Sequence, residues 1–149
     1  MIGNLIDLAE QGHFDVIVHG CNCFHTMGAG VAKEIKNRYP RAYDADVQHT
    51  EKGDDSKLGH YTWAIVEGKA ANVFTIINAY TQFHYGRGGL HVDYEAIRSV
   101  FALIKEDHPN KIIAYPCIGA GLAGGDWSII QTIINQELTG MVHHLVTLK

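Results

Sequence analysis

Two histidines, two cysteines, an asparagine and three glycines crowd onto the end of one apolar run in residues 16–40, VIVHGCNCFHTMGAGVAKEIKNRYP. A nucleophilic thiol at Cys21 or Cys23 would need a base partner and a depressed pKa, and no partner can be placed for either. Cys21-x-Cys23 with His25 nearby is the wrong spacing for a zinc site and lacks a second ligand pair, so both cysteines read as small buried fillers. His19 ends the apolar run. It is either a satisfied core histidine or, facing a cleft, a proton relay near neutral pH. His25 lies in the loop itself, where it is either solvated or meets a terminal phosphate. A second cluster, PCIGAGLAGGDW at residues 116–127, ends in Asp126. That carboxylate is either a helix N-cap, worth ~1 kcal/mol, or a group that orients water or acts as general base.

Both glycine clusters stand between an apolar run and a helical pattern, where glycine lets the backbone approach a ligand closely. Helix N-termini there offer unpaired N–H groups and the positive end of the dipole. Two such loops facing each other would clamp a diphosphate with amides from both sides. Taken singly, Gly28 and Gly30, or Gly119, Gly121, Gly124 and Gly125, serve equally well as a plain tight turn; two such loops at equivalent positions favour the clamp. No G-x-x-x-x-G-K-[ST] is present, and the G-x-G-x-x-G within GAGLAGG lies too near the C-terminus for a following β-α-β half.

The elements that would position these loops alternate. FDVIVHG (14–20) is a short continuous apolar run, as in a strand buried on both faces. GVAKEIKNRYP puts Val31, Ile35 and Tyr39 at helical spacing until Pro40 interrupts it, and RAYDADVQHTEKGD reads as another helix ending near Gly53. YTWAIVEG and NVFTIINAYT are two strands across a turn at residues 68–72, a hairpin. VDYEAIRSVFALIKEDHP is the strongest amphipathic helix, with Ile97, Val100, Phe101 and Ile104 on one side. A strand KIIAYP, the second glycine turn, a helix DWSIIQTIINQEL and a strand HHLVTL follow. The class is α/β, a layered sheet made mixed by the hairpin.

The chain's 149 residues suit one domain. An apolar content of 46% and a charged content of 19% are those of a soluble globular protein. The net charge of −4, with no basic run, excludes a footprint along a nucleic-acid backbone but not one small phosphate ligand held by amides. The first residues carry no basic region followed by a long apolar stretch, so no signal peptide is expected. No apolar run approaches the ~20 residues of a membrane span. Three cysteines make no disulfide framework, and the cytoplasm is the expected location.

GNL at Gly3–Leu5, DVIVHGCN at Asp15–Asn22, MGAGVA at Met27–Ala32 and PCIGAGLAGGDW at Pro116–Trp127 follow in an order and spacing that resemble a macro domain, the ADP-ribose-binding module, over essentially the whole chain. The resemblance implies one three-layer α/β/α domain over residues 1–149, with a central mixed sheet. Its branch is similar to the ADP-ribose-1''-phosphate phosphatases, the glutamyl-ADP-ribose hydrolases and the DNA ADP-ribosyl glycohydrolase antitoxins. By the same resemblance, Asn4 stands where members commonly have an acidic residue accepting from the adenine amino group, with Leu5 beside it; its amide oxygen keeps that capacity. Asn22 matches the asparagine that binds the distal ribose. Gly28, Ala29, Gly30 and Val31 match the loop approaching that ribose and a phosphate. Ile118, Gly119, Ala120, Gly121 and Leu122 match the second phosphate loop. His19 matches a histidine of the phosphatase branch. Tyr80, Phe83 and Tyr85 lie where an aromatic could cover a ribose or adenine face, with core packing the equal alternative for Tyr80.

Departures from the family pattern bear on the chemistry. Relatives that cleave glutamyl- or DNA-linked ADP-ribose carry a lysine where this chain has Gln82, and glutamine neither forms a Schiff base nor brings charge. Ala123 fills the place of an aspartate in the protein-glutamate hydrolases, while Asp126 matches the aspartate before tryptophan in the antitoxin-like pattern. The expectation is therefore a domain that binds ADP-ribose and hydrolyses a small derivative, ADP-ribose 1''-phosphate first and an ADP-ribosyl linkage second. Asn22, His19 and Asp126 would carry the chemistry, and Gln82 would join the binding residues named above. The alternative is a non-catalytic reader. The expected partners are ADP-ribose or a derivative, free or carried on protein or nucleic acid, with no membrane, metal or cofactor.

Overall fold

The computed structural model describes residues 1–85 and 89–149. Its sheet contains β1 (Val16–Cys21), β2 (Tyr61–Glu67), β3 (Val73–Tyr80), β4 (Ile113–Tyr115) and β5 (His143–Leu145) in the order β2-β3-β1-β4-β5. The continuous apolar run makes β1 the middle strand. Val16 and Val18 point into one hydrophobic cluster and Ile17 into another, so both faces are buried. β1 pairs in parallel with β3, from Val16 against Thr75 to Cys21 against Tyr80, and with β4, Val16 against Ile113. β4 and β5 are parallel, whereas β2 and β3 form the expected antiparallel hairpin, Tyr61 against Ala79 through Glu67 against Val73.

Helices cover both faces. On one side α4 (Tyr94–Asp107) buries Ile97, Val100, Phe101 and Ile104, and α5 (Trp127–Glu137) buries Ile130, Ile133 and Ile134. Each such side chain removed from water contributes roughly 1.5–3 kcal/mol. On the other side α1 (Leu5–Glu10) adds Leu5, Ile6 and Ala9, α2 (Gly30–Arg38) adds Ile35, and α3 (Pro40–His49) adds Ala42. The layers are α/β/α, as the sequence implies.

Local chemistry explains the boundaries. Pro40 disfavours a helical Tyr39 but suits the first helical position, so one long helical pattern breaks into α2 and α3. α3 stops at His49, earlier than the Gly53 expected, because Thr50 is extended; a 3-10 turn follows at Asp55–Lys57. α1 is absent from the sequence reading, being only six residues long. It forms because Asn4 accepts from the amides of Ile6 and Asp7, each at 3.0 Å.

The second glycine turn is packed where the first is open. A Cβ on Gly125 would stand 2.5 Å from the Gly119 carbonyl oxygen and 2.6 Å from Val92 Cγ1, whereas one on Gly28 would meet no atom within 4 Å. Gly125→Ala should therefore lower the melting temperature by about 5 °C or more. Gly28→Ala should leave it within about 1 °C, since an exposed, uncrowded site costs little. Calorimetric melting of the two variants beside the parent checks this, and equal shifts would contradict it.

Candidate functional site

Parallel pairing brings the loops after β1, β3 and β4 to one end of the sheet. There the N-terminus of α2 is capped by Ala29, which has no side-chain acceptor to offer. Among the described residues no hydrogen bond engages the amides of Gly28, Ala29, Gly30 or Val31. Opposite, Gly125 N donates to Gly119 O at 2.7 Å and Gly124 N to Gly121 O at 3.1 Å, folding residues 119–125 back on themselves. The amides of Gly119, Gly121 and Leu122 make no such bond among the described residues. Gly121, like Gly28, has nothing within 4 Å of an added Cβ. Ile118, expected among the ligand residues, buries its side chain in the core, its Cγ2 3.1 Å from where a Cβ on Gly20 would sit.

Beside these loops Asn4, Leu5, Val31, Glu34, Pro116 and Cys117 line a slot of about 260 Å³. The structure corrects the expectation for Asn4. Its Oδ1 is the N-cap acceptor of α1, and its Nδ2 donates to Glu34 Oε1 at 2.9 Å. The amide oxygen that was to receive an adenine amino group already holds two backbone amides.

Two further expectations change because helices cover the strand ends that carry these residues. His19 lies with Cys21 under α2 and α3 and is 1% exposed. Its Nε2 meets Asn78 Oδ1 at 2.7 Å, and burial pulls its pKa down to about 4, against smaller upward effects of Asn78 and Asp46. A ring so enclosed is neutral and structural, not a cleft-facing relay. Tyr80 is likewise 1% exposed. Its hydroxyl donates to Asp46 Oδ1 at 2.6 Å and pairs with Thr62 Oγ1 at 2.9 Å, and burial with Asp46 pushes the phenol pKa far up. It covers no ligand face. Cys21 and Cys23 are buried too, and burial raises both thiol pKa values, that of Cys23 to about 11.

Asp126 caps α5, accepting from Ser128 N at 2.9 Å and Ser128 Oγ at 2.7 Å. These bonds hold the exposed carboxyl below its ordinary pKa and make it a poor base. Asn22 braces its own loop, Nδ2 to Thr26 Oγ1 at 2.6 Å and Phe24 N to Oδ1 at 2.8 Å. Gln82 Nε2 donates to His84 O at 2.8 Å.

His25 is better placed than either acid–base candidate read from the sequence. Its φ is +59°, outside the usual range for a side-chain-bearing residue. Its Nε2 lies 2.9 Å from Thr50 Oγ1. The Thr50 hydroxyl donates to the Asp46 carbonyl at 2.6 Å, so toward His25 and Lys57 Nζ it can only accept. The ring proton is therefore on Nε2, and Nδ1 carries the lone pair. Asp46 Oδ1, 1% exposed in its side chain, stands 3.9 Å behind. Nothing local in the sequence marks Asp46, Thr50 or Lys57, which read as ordinary polar positions on and after a helix.

The sequence matches the family model for the Macro domain over residues 18–134. The chain belongs to the macro domain family. An uncharacterized 17.5 kDa protein in the tk-vs intergenic region of Enterobacteria phage T4 is 36% identical over 137 residues, 89% of this chain and 84% of that one. An ADP-ribose 1''-phosphate phosphatase of Debaryomyces hansenii is 23% identical over 153 residues, 86% of each chain. The DNA ADP-ribosyl glycohydrolase of Thermus aquaticus is 28% identical over 141 residues, which are 93% of this chain and 37% of that one. The solved macrodomain of Thermus aquaticus DarG aligns with a TM-score of 0.73 at 25% identity, covering 98% of this chain and 94% of its own.

In this macro domain the buried His19 makes stability depend on pH. Its folded pKa of about 4 lies below the ordinary value of 6.5, so the unfolded chain binds the extra proton between the two. Stability from this group is full above pH 6.5 and falls as pH drops toward 4, by about 3 kcal/mol in all. Urea unfolding from pH 7 to 4 should show that loss, and His19→Gln, which does not titrate, should be flatter by about the same amount. Parallel curves for the two proteins would contradict the assignment.

Proposed function

We propose that this macro domain binds ADP-ribose at the carboxyl end of its sheet and hydrolyses ADP-ribose 1''-phosphate. The observation that carries the reading is the pair of glycine turns with unengaged amides, at Gly28, Ala29, Gly30 and Val31 and at Gly119, Gly121 and Leu122, which follow the adjoining strands β1 and β4. Such amides bind a diphosphate without side-chain charge, which accords with a net charge of −4. The adenine end would occupy the slot beside Asn4, Leu5 and Val31, and the distal ribose would lie against Asn22, displacing Thr26 from its amide. Family membership and the relatives named as acting on ADP-ribose linkages support the same ligand.

For the chemistry, His25 takes the role first expected of His19. With its proton on Nε2, Nδ1 accepts the proton of a water attacking the terminal phosphorus. The bond from phosphorus to the anomeric oxygen breaks, that oxygen gains a proton, and ADP-ribose and inorganic phosphate leave. Asp46, through Thr50, orients the ring. Asp126 would contribute by shaping the start of α5 next to the second glycine turn.

A second reading, the non-catalytic reader, is favoured by Gln82 standing where the lysine of other branches would be and donating to His84 O. Carriage of the ADP-ribose on protein or nucleic acid belongs to this reading and to cleavage of an ADP-ribosyl linkage.

Incubation with ADP-ribose 1''-phosphate, an ADP-ribosylated peptide and ADP-ribosylated DNA, following free ADP-ribose, separates these readings. Release from the first alone is expected. His25→Ala should lower that rate by about 10²-fold. Binding without release from any substrate would leave the reader. Gly28→Glu and Gly121→Glu, which place a carboxylate in open space by the phosphates, should weaken ADP-ribose binding by about tenfold or more while leaving the unliganded melting temperature unchanged. If calorimetry finds adenosine as tight as ADP-ribose, the amides do not clamp a diphosphate.

A further inference from the structure

The slot beside α1 holds one carboxylate whose geometry is set by its neighbours. Glu34 Oε1 accepts from Asn4 Nδ2 at 2.9 Å and from Arg38 Nη1 at 3.0 Å. Arg38 is fixed in turn by Asp7 at 2.8 Å and Glu10 at 2.7 Å, and Glu10 receives the Tyr39 hydroxyl at 2.7 Å. Two donors from different elements therefore hold Oε1, and a planar carboxylate held at one oxygen has its other oxygen aimed as well. No hydrogen bond among the described residues engages Oε2. The rest of the slot is mostly apolar, with Leu5, Val31, Pro116 and Val146 among its walls.

We infer that Glu34 selects the base of the bound nucleotide, its Oε2 accepting from an exocyclic amino group so that adenine is taken over hypoxanthine. This rests on the reading that the slot holds the adenine end of ADP-ribose. An ionised carboxylate only accepts hydrogen bonds, so a 6-amino group is matched and a 6-keto oxygen in the same place faces lone pairs. Asn4 cannot take this role, since its oxygen is held by the amides of Ile6 and Asp7. It acts on the base indirectly, as the donor that positions Glu34. Glu34 stands in the second turn of α2, and Asn4 and Arg38 together hold its carboxylate at the slot.

The test compares calorimetric binding of ADP-ribose and its hypoxanthine counterpart, inosine 5'-diphosphoribose. The parent protein should prefer ADP-ribose by about tenfold or more, the scale of one charge-assisted bond. Glu34→Gln can keep both bonds to Oε1 and turns the outward acceptor into a donor; its preference should vanish or reverse. Glu34→Met, which offers neither, should bind both nucleotides alike. Asn4→Ser preserves the cap and removes the link to Glu34, so it should narrow the preference less than Glu34→Gln does. A preference that survives in Glu34→Gln and Glu34→Met, or one lost only in Asn4→Ser, would overturn the assignment while leaving ADP-ribose binding intact. Equal affinity in the parent would overturn it too. If the parent binds neither nucleotide, the ADP-ribose reading itself falls and the role of Glu34 with it.

Discussion

Parallel pairing of β1 with β4, Val16 beside Ile113 and Ile17 beside Ala114, is the constraint on which the site depends. Two parallel neighbours must end on the same side, so the chain leaves both strands into one crevice. The glycine turn after β1 and the glycine turn after β4 are far apart in sequence, yet this pairing sets them side by side. Gly20 keeps the approach close, since a Cβ there would come within 2.9 Å of Thr81 Oγ1 and 3.1 Å of Ile118. The isolated parallel bridge between Ile2 and Thr147 extends the same edge and carries Asn4 to the crevice with the end of β5.

Behind the first loop lies a connected set of buried polar groups. His19 bonds Asn78, Asn78 bonds Thr62, Thr62 bonds Tyr80, and Tyr80 bonds Asp46. Thr50, Lys57 and His25 close the set at the loop. Each such group would cost about 1–3 kcal/mol if buried alone, so the members stand or fall together. The result is a rigid polar floor under residues 21–27, with Met27 and Cys21 packed on Tyr80. His25 is the one titratable side chain of that loop carried on this floor and partly exposed, and its strained φ is sustained by the bonds beneath it.

At the other end of the crevice, the polar groups are arranged around Arg38, which draws Asp7, Glu10 and Glu34 together. Burial and these three partners act in opposite senses on its pKa, and the net effect is upward, so its charge is secure. The guanidinium thus ties α1 to α2 where the slot opens between them.

Much of this was legible in the sequence. The apolar run of β1, the alternation in β2, the face of α4 at Ile97, Val100, Phe101 and Ile104, and the glycine turns each follow from a period or a residue's own backbone preference. Such signals are local, and the strand–helix alternation and the hairpin follow from them. The six-residue α1 was not legible, because it is too short for a period to show and depends on one cap. Asn4 illustrates the same limit: its residue type permits either capping or ligand binding, and only the formation of α1 decides between them. His19 and His25 stand six positions apart in one sequence stretch, yet one is sealed beneath two helices and the other lies at the crevice. His19 lies on β1, whose two faces are both covered by helices distant in sequence, whereas His25 lies past the end of that strand in the loop. Glu34 and Asp46 carried no signal at all, since a carboxylate on a helix is ordinarily solvated. Their placement was decided by tertiary structure alone, through Arg38 and Asn4 around one, and through Tyr80 and Thr50 around the other.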